Sequence, residues 1–230
     1  ASVQPELAGA TSRGMRKIGI FGGTFDPVHL GHLRPAQEIL DALHLDQIRF
    51  IPTGFPPHRT MPVAPAVLRL AMLKAAVVDE TRFHVDEREL NRTTPCYTVD
   101  TLAELRREYP DAALSLIVGM DAFLGFPAWH QWQRLFELAH VIVAHRPGWT
   151  FKDDGPLAEV LATRSIEAAE QMQDRSAGCV LLQPVTQLEI SATLVRDCMA
   201  AGHDPRYLVP EVVRDILIES GCYTPKVKTG

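Results

Sequence analysis

Lys17-Ile18-Gly19-Ile20-Phe21-Gly22-Gly23-Thr24-Phe25-Asp26-Pro27-Val28-His29-Leu30-Gly31-His32 is the stretch whose reading decides the rest of the chain. Lys17 to Phe21 reads as a short buried strand that ends in Gly22-Gly23. The segment beyond His32 carries Ala36, Ile39, Leu40 and Leu43 at helical spacing, so strand, glycine turn and helix follow one another. Paired glycines let the backbone turn tightly and approach a ligand closely. Their amides, with those of the helix start, are free to face anionic oxygens. His29 and His32 lie three apart and share one face of a helical first turn. Gly31 between them leaves room for a flat or bulky group. A bare His-x-x-His also fits solvated histidines or a metal site, and its place between a strand and a helix favours phosphate handling.

Working outward, short apolar runs alternate with helical patterns. Arg49-Phe50-Ile51 is a second strand stopped by Pro52, followed by a loop, a helix around Val67 to Val78 and a strand near Arg82 to Asp86. Thr98 to Tyr109 is helical, Ala113 to Val118 and Val141 to Ala144 are strands, and Pro156 to Gln171 reads as one exposed helix. Cys179 to Leu182 is a further strand. Val212, Val213, Ile216 and Leu217 mark the last amphipathic helix, with Gly221 as its C-cap. This alternation predicts an α/β fold: a Rossmann-like, doubly wound parallel sheet with helices on both faces, in a single domain over residues 15–230. Ala1 to Gly14 has no periodicity and reads as a disordered extension or cloning remnant.

Composition narrows the function. The 230 residues are 46% hydrophobic, enough for a real core. No apolar stretch approaches the roughly 18 residues of a membrane span, and a net charge of -5 gives no basic field for nucleic acid. The four cysteines lie far apart without C-x-x-C or C/H ligand spacing, the pattern of a reduced, cytoplasmic chain. Neither the P-loop G-x-x-x-x-G-K-[ST] nor the dinucleotide G-x-G-x-x-G occurs.

In doubly wound sheets ligands bind beyond the carboxyl ends of the strands, and the remaining chemistry-bearing residues sit at such places. Glu189-Ile190-Ser191-Ala192-Thr193-Leu194-Val195-Arg196 places Ser191 as an N-cap. Read alone it is a capped helix with an exposed arginine; read as a site, Ser191, Thr193 and the helix amides hold an anion and Arg196 adds a bidentate fork. Val118-Gly119-Met120-Asp121 offers a carboxylate for ribose hydroxyls, with an N-cap by Asp121 as the equal alternative. Ile51 to Arg59 is a proline-stiffened loop carrying His58 and Arg59. Thr94 to Thr101 leads into a helix whose first amides suit a carboxylate, or in which Thr98 is only the cap. Trp129-His130 offers an indole for stacking, or a core tryptophan.

The Gly22–His32 segment resembles the T/H-x-G-H signature of the nucleotidylyltransferase superfamily, which implies that His29, His32 and Arg196 stabilise the attacked triphosphate. Ser191 to Arg196 resembles the family's I-S-S-T-x-x-R motif for the β and γ phosphates, with Ala192 in place of the second serine. Gly119 and Asp121 match its ribose-binding G-x-D. With Y-T-x-D-T-L from Tyr97, Trp129-His130 and His140 to Gly148, the span from Met15 to Tyr223 resembles the bacterial nicotinate-nucleotide adenylyltransferases. The resemblance implies an enzyme that joins ATP and nicotinate mononucleotide to give nicotinate adenine dinucleotide and pyrophosphate in NAD biosynthesis. It implies ATP contacts from Gly22, Gly23, Thr24, Phe25, Gly119, Asp121, Ile190, Ser191, Thr193 and Arg196. It assigns acceptor contacts to Asp26, His58, Arg59, Tyr97, Thr98, Trp129 and His130, and Mg2+ held mainly by ATP phosphates and water. Nicotinamide mononucleotide, phosphopantetheine or another phosphate ester as acceptor, and a non-catalytic nucleotide sensor, are the competing readings.

Overall fold

The computed structural model describes residues 14–55, 61–148 and 155–224. The strand, glycine turn and helix are β1 (Lys17–Gly23) and α1 (Leu30–Ala42). There follow β2 (Gln47–Pro52), α2 (Ala66–Val77), β3 (Phe83–Val85), α3 (Thr98–Glu108) and β4 (Ala113–Gly119). Two short helices, α4 (Met120–Leu124) and α5 (Leu135–Leu138), flank a pair of 3-10 turns and lead to β5 (His140–His145). The chain continues through α6 (Pro156–Arg164), β6 (Ser165–Ile166), β7 (Val180–Pro184), α7 (Ala192–Ala200) and α8 (Glu211–Ser220).

The seven strands form one parallel sheet in the order β3-β2-β1-β4-β5-β7-β6. The chain winds from β1 out to β3, then crosses back to β4 and winds the other way. The reversal between β1 and β4 opens a crevice at their carboxyl ends. Register puts Gly22 opposite Ile51 on β2 and Gly119 opposite Ala144 on β5, so the glycine turn, Thr53 and Gly119 share that rim.

Strand alternation divides the interior into two apolar layers. Ile48, Phe50, Ile117, Ile142 and Leu181 face α1, α2, α7 and α8. Ile18, Ile20, Leu114, Leu116, Val141 and Val143 face α3, α4, α5 and α6. Both faces are therefore covered, as the alternation of strands and helices predicted. The face of α1 read from the sequence is buried, with Ala36, Ile39 and Leu40 fully covered and Leu43 just beyond the helix end. Gly221 takes a left-handed φ of 59° as the C-cap of α8. No helix among the described residues is long and apolar enough to cross a membrane. The reading of an N-terminal extension falls almost entirely on residues 1–13, outside the described residues.

One element differs from expectation. The helix read over Pro156 to Gln171 stops at Arg164, and Ser165–Ile166 pairs with Val180–Leu181 as the sheet's edge strand. Beyond it, Ala169–Met172 forms a 3-10 turn in which the Gln171 side chain accepts the amides of Glu167 and Ala168. Ile166, Ala169 and Met172 pack against the core. Tertiary burial of a β-branched residue at an open sheet edge outweighs local helix propensity there.

Arg69 fixes the rim. It is buried on α2 among Met72, Leu73 and Val77, and its guanidinium donates to the carbonyls of Thr24 at 2.6 Å and Thr53 at 3.0 Å. One side chain thus ties together the loops that leave β1 and β2. Arg69→Met removes these donors and strands both carbonyls; we expect urea denaturation to show a loss of about 2–4 kcal/mol. A loss below about 0.5 kcal/mol, the usual scatter of surface changes, contradicts the clamp.

Candidate active site

His29 caps α1 from extended backbone, and its carbonyl accepts the amide of His32 at 2.9 Å. The two imidazoles stack, with ring centroids 3.7 Å apart and planes inclined by 28°. Phe25 buttresses His32 edge-on at 5.1 Å. Both Nδ1 atoms are buried without a protein partner. Burial holds the His29 pKa down to about 4, against an ordinary 6.5. His32 is likewise held well below that value, by burial and then by repulsion from His29. The pair in the free protein is therefore neutral at pH 7. It offers directed N–H donors rather than a standing positive charge.

The space beside Gly31 is filled by the chain itself. A Cβ there would lie 2.6 Å from the Ile190 carbonyl and 2.9 Å from His29 Nδ1. The bulky group expected against Gly31 is thus the backbone that leads into Ser191. Through this contact the second motif, distant in sequence, meets the first. Ser191 caps α7 by accepting the Leu194 amide at 3.1 Å, as the capping reading required. Arg196 reaches back to the first loop, donating to the Asp26 carbonyl at 2.7 Å and to the Thr193 hydroxyl at 3.0 Å. Thr193 and Arg196 stand together at the helix start and close to the histidine loop, where an anion would meet helix amides and a guanidinium.

Across the rim lies a cleft lined by Gly22, Gly23, Thr24 and Thr53 on the strand side. Tyr97, Thr98, Trp129 and His130 line its opposite wall. Trp129 is partly buried, its ring 4.7 Å from Phe126, so it packs on the core with one part and lines the cleft with another. Tyr97 and His130 stack at 4.5 Å. Thr98 is the first residue of α3 and makes no side-chain cap, leaving helix-start amides at the wall. Gly119, not Asp121, is the cap residue of α4, with no side-chain cap bond. The capping alternative for Asp121 therefore falls away, and its exposed carboxylate sits just past β4. Open space surrounds the missing Cβ of Gly22 and Gly119.

Besides His29, two expected site residues sit in the interior. Phe25 is buried, its ring packed in the core against Phe21, Phe50 and His32. Asp26 is also buried, and its carboxylate accepts the amides of Val63 at 2.8 Å and Ala64 at 3.0 Å and the Tyr223 hydroxyl at 2.6 Å. The Asp26 carboxylate is thus taken up by residues 63, 64 and 223 rather than presented to the cleft. His58 and Arg59 lie outside the described residues.

Sequence reasoning overlooked Arg69, Glu89 and Tyr223. Arg69 interrupts an otherwise apolar stripe with Met72 and Leu73, a signal open to notice. Glu89 lines the cleft and is buried, accepting the Thr101 hydroxyl at 2.6 Å, and burial pushes its carboxyl pKa up. No local pattern marks Glu89 or Tyr223.

This combination, a histidine pair on a glycine turn and a capped helix start with arginine around a sheet crevice, defines a class of nucleotide-handling transferases. Residues 20–197 match the family model described as cytidylyltransferase-like. A protein of Halorhodospira halophila named “Probable nicotinate-nucleotide adenylyltransferase” is 48% identical over 91% of this chain and 96% of its own. One of the same name from Aeromonas hydrophila is 46% identical over 90% and 97%. Among solved structures, the nicotinic acid mononucleotide adenylyltransferase of Plasmodium falciparum complexed with NaAD superposes with a TM-score of 0.69. It is 16% identical and covers 90% of this chain and 97% of that one, a likeness of fold. The chain belongs to the cytidylyltransferase-like family and, within it, to the nicotinate-nucleotide adenylyltransferases.

Two outcomes test this geometry. Unfolded chains protonate histidine near pH 6.5, whereas folded His29 does so near 4. Its contribution to folding is therefore intact above pH 6.5 and is lost as pH falls toward 4, by up to about 3 kcal/mol. His29→Gln should flatten the fall of urea midpoint between pH 6.5 and 4; an unchanged slope contradicts the buried neutral imidazole. Gly31→Ala forces Ile190 away from α1, and we expect at least a tenfold weaker ATP affinity, about 1.4 kcal/mol, in a chain that still folds by circular dichroism.

Proposed function

We propose that the chain transfers the adenylyl group of ATP to nicotinate mononucleotide, forming nicotinate adenine dinucleotide and releasing pyrophosphate. The observation that carries this reading is the convergence, across one sheet crevice, of the His29/His32 pair, the Ser191–Arg196 helix start and the aromatic cleft at Tyr97, Thr98 and Trp129. The curated relatives' names and the Plasmodium structures complexed with NaAD and with APC support it.

An oxygen of the acceptor phosphate attacks the α-phosphorus, and the bond from that phosphorus to the bridging oxygen of the β-phosphate breaks. The acceptor phosphate is already ionised near neutral pH, so no general base is needed, and the protein's task is alignment and charge stabilisation. His29 and His32 donate to α-phosphate oxygens, whose negative charge favours the imidazolium form over the neutral one of the free protein. Helix-start amides at Ser191, with Thr193 and Arg196, take the β and γ phosphates. Gly22, Gly23, Thr24, Phe25 and Ile190 contribute backbone contacts, and Gly119 and Asp121 meet the ribose. Trp129 stacks on the pyridine ring, the amides of Thr98 and His130 bind its carboxylate, and Tyr97 walls the pocket. His58 and Arg59 meet the acceptor phosphate. Among the described residues no group of three or more His, Cys, Asp or Glu is arranged to hold a metal ion. Mg2+, where bound, would be held mainly by the ATP phosphates and water and would supply neutralisation of phosphate charge.

Pyrophosphate release measured with ATP and each candidate acceptor in turn tests the reading. Nicotinate mononucleotide should support turnover and nicotinamide mononucleotide much less; release with neither, at saturating ATP, refutes it. His32→Ala should lower kcat by about 100-fold or more while ATP binding largely persists. Trp129→Ala should chiefly raise the acceptor KM, and a loss confined to thermal stability makes Trp129 core alone.

A further inference from the structure

The carboxylate of Asp26 is the meeting point of three chain segments. Oδ2 accepts the Val63 amide at 2.8 Å, and Oδ1 accepts the Ala64 amide at 3.0 Å and the Tyr223 hydroxyl at 2.6 Å. Tyr223 stands just past α8, 197 positions away in sequence, and is buried in the same core layer as Phe25 and Val28. Burial and then the Asp26 carboxylate push its pKa up, so it remains a donor. Arg196 approaches the same residue from a third side. Its Nη1 is bonded to the Asp26 carbonyl at 2.7 Å but stays 3.9 Å from Oδ2. A carboxylate and a guanidinium this close ordinarily form a short, charge-assisted pair. Here Oδ1 already accepts two neutral donors and Oδ2 one, and these bonds spread the carboxylate charge away from Arg196, so its pull on the guanidinium is weakened.

We propose that Tyr223 is a positioning residue for nucleotide binding: by occupying Asp26, its hydroxyl keeps the Arg196 guanidinium free for the ligand's phosphates. The inference deepens the assignment of Arg196 to the triphosphate and rests on it. Removing the hydroxyl while keeping the ring leaves Oδ1 short of a donor. Two cations face the Asp26 charge: Arg69, whose Nη atoms are held by the Thr24 and Thr53 carbonyls, and Arg196, whose Nη1 already lies 3.9 Å from Oδ2. Arg196, on the more exposed side chain, is the one placed to turn from the crevice toward Asp26. The effect reaches the ligand through Arg196 and not through loss of the core, because phenylalanine fills the same apolar space.

The test is a double-mutant cycle on the full chain, with ATP affinity measured by calorimetry in the presence of magnesium. Wild type, Tyr223→Phe, Arg196→Ala and the double variant are compared, with thermal unfolding of each. Tyr223→Phe should weaken ATP binding about five- to tenfold where arginine is present and less than about twofold in the Arg196→Ala background. The same factor in both backgrounds, or unchanged affinity with a lowered Tm, overturns the proposal and makes Tyr223 purely structural. Weakening confined to the acceptor also overturns it, since that effect would run through residues 63 and 64. Failure of the wild type itself to bind ATP would instead overturn the underlying functional reading.

Discussion

The close approach of the Ile190 carbonyl to Gly31 is the contact on which the site depends. Any side chain at position 31 would put a carbon 2.6 Å from that oxygen, well inside van der Waals contact. Because the glycine is there, the chain returning from β7 lies against the first turn of α1. The two helix starts then share one crevice at the β1/β4 reversal. The sheet explains where a ligand goes. This backbone contact explains why the two anion-binding motifs act at one point rather than at two.

The electrostatics of that point are less obvious than its residue types imply. Two stacked imidazoles beside a guanidinium look cationic on paper, yet the histidines are buried enough to lose their protons. A preformed cluster of three positive charges would repel itself and cost stability in the free state. Neutral rings avoid that cost. In the proposed transfer, rings that gain charge only where phosphate oxygens compensate it would stabilise the more negative transition state more than the ground state.

Much of this was legible in the sequence because strands buried on both faces announce themselves by composition, and because glycines, N-caps and histidine pairs act locally. Ser191 as a cap and Gly221 as a C-cap followed from single-residue chemistry. The break at Arg164 did not, since it depends on β7 being present to pair with Ser165–Ile166. Asp26 looked like a ligand contact because it sits in the motif, but its partners are the amides of residues 63 and 64 and a tyrosine from the far end of the chain. No window around Asp26 contains that tyrosine. Long-range polar pairing between a loop and a terminal segment leaves no periodic trace.

The same distinction separates residues that hold the site from residues left free to act. Arg69 has its guanidinium bonded to the carbonyls of Thr24 and Thr53, and Asp26 has its carboxylate filled by neutral donors. Both are buried and carry charge, yet neither presents that charge to the crevice. Arg196 is anchored at hydrogen-bond distance by a carbonyl and a hydroxyl, while the Asp26 carboxylate stays 3.9 Å away as a long ion pair. A chain with net charge -5 offers no general attraction to polyanions. Its affinity for them must come from donors placed this way, with acidic groups nearby occupied by amides and hydroxyls. The rim of the sheet therefore works as a sorting of charges: Arg69 and Asp26 are satisfied inward, and Arg196 remains on the more exposed side beside the start of α7.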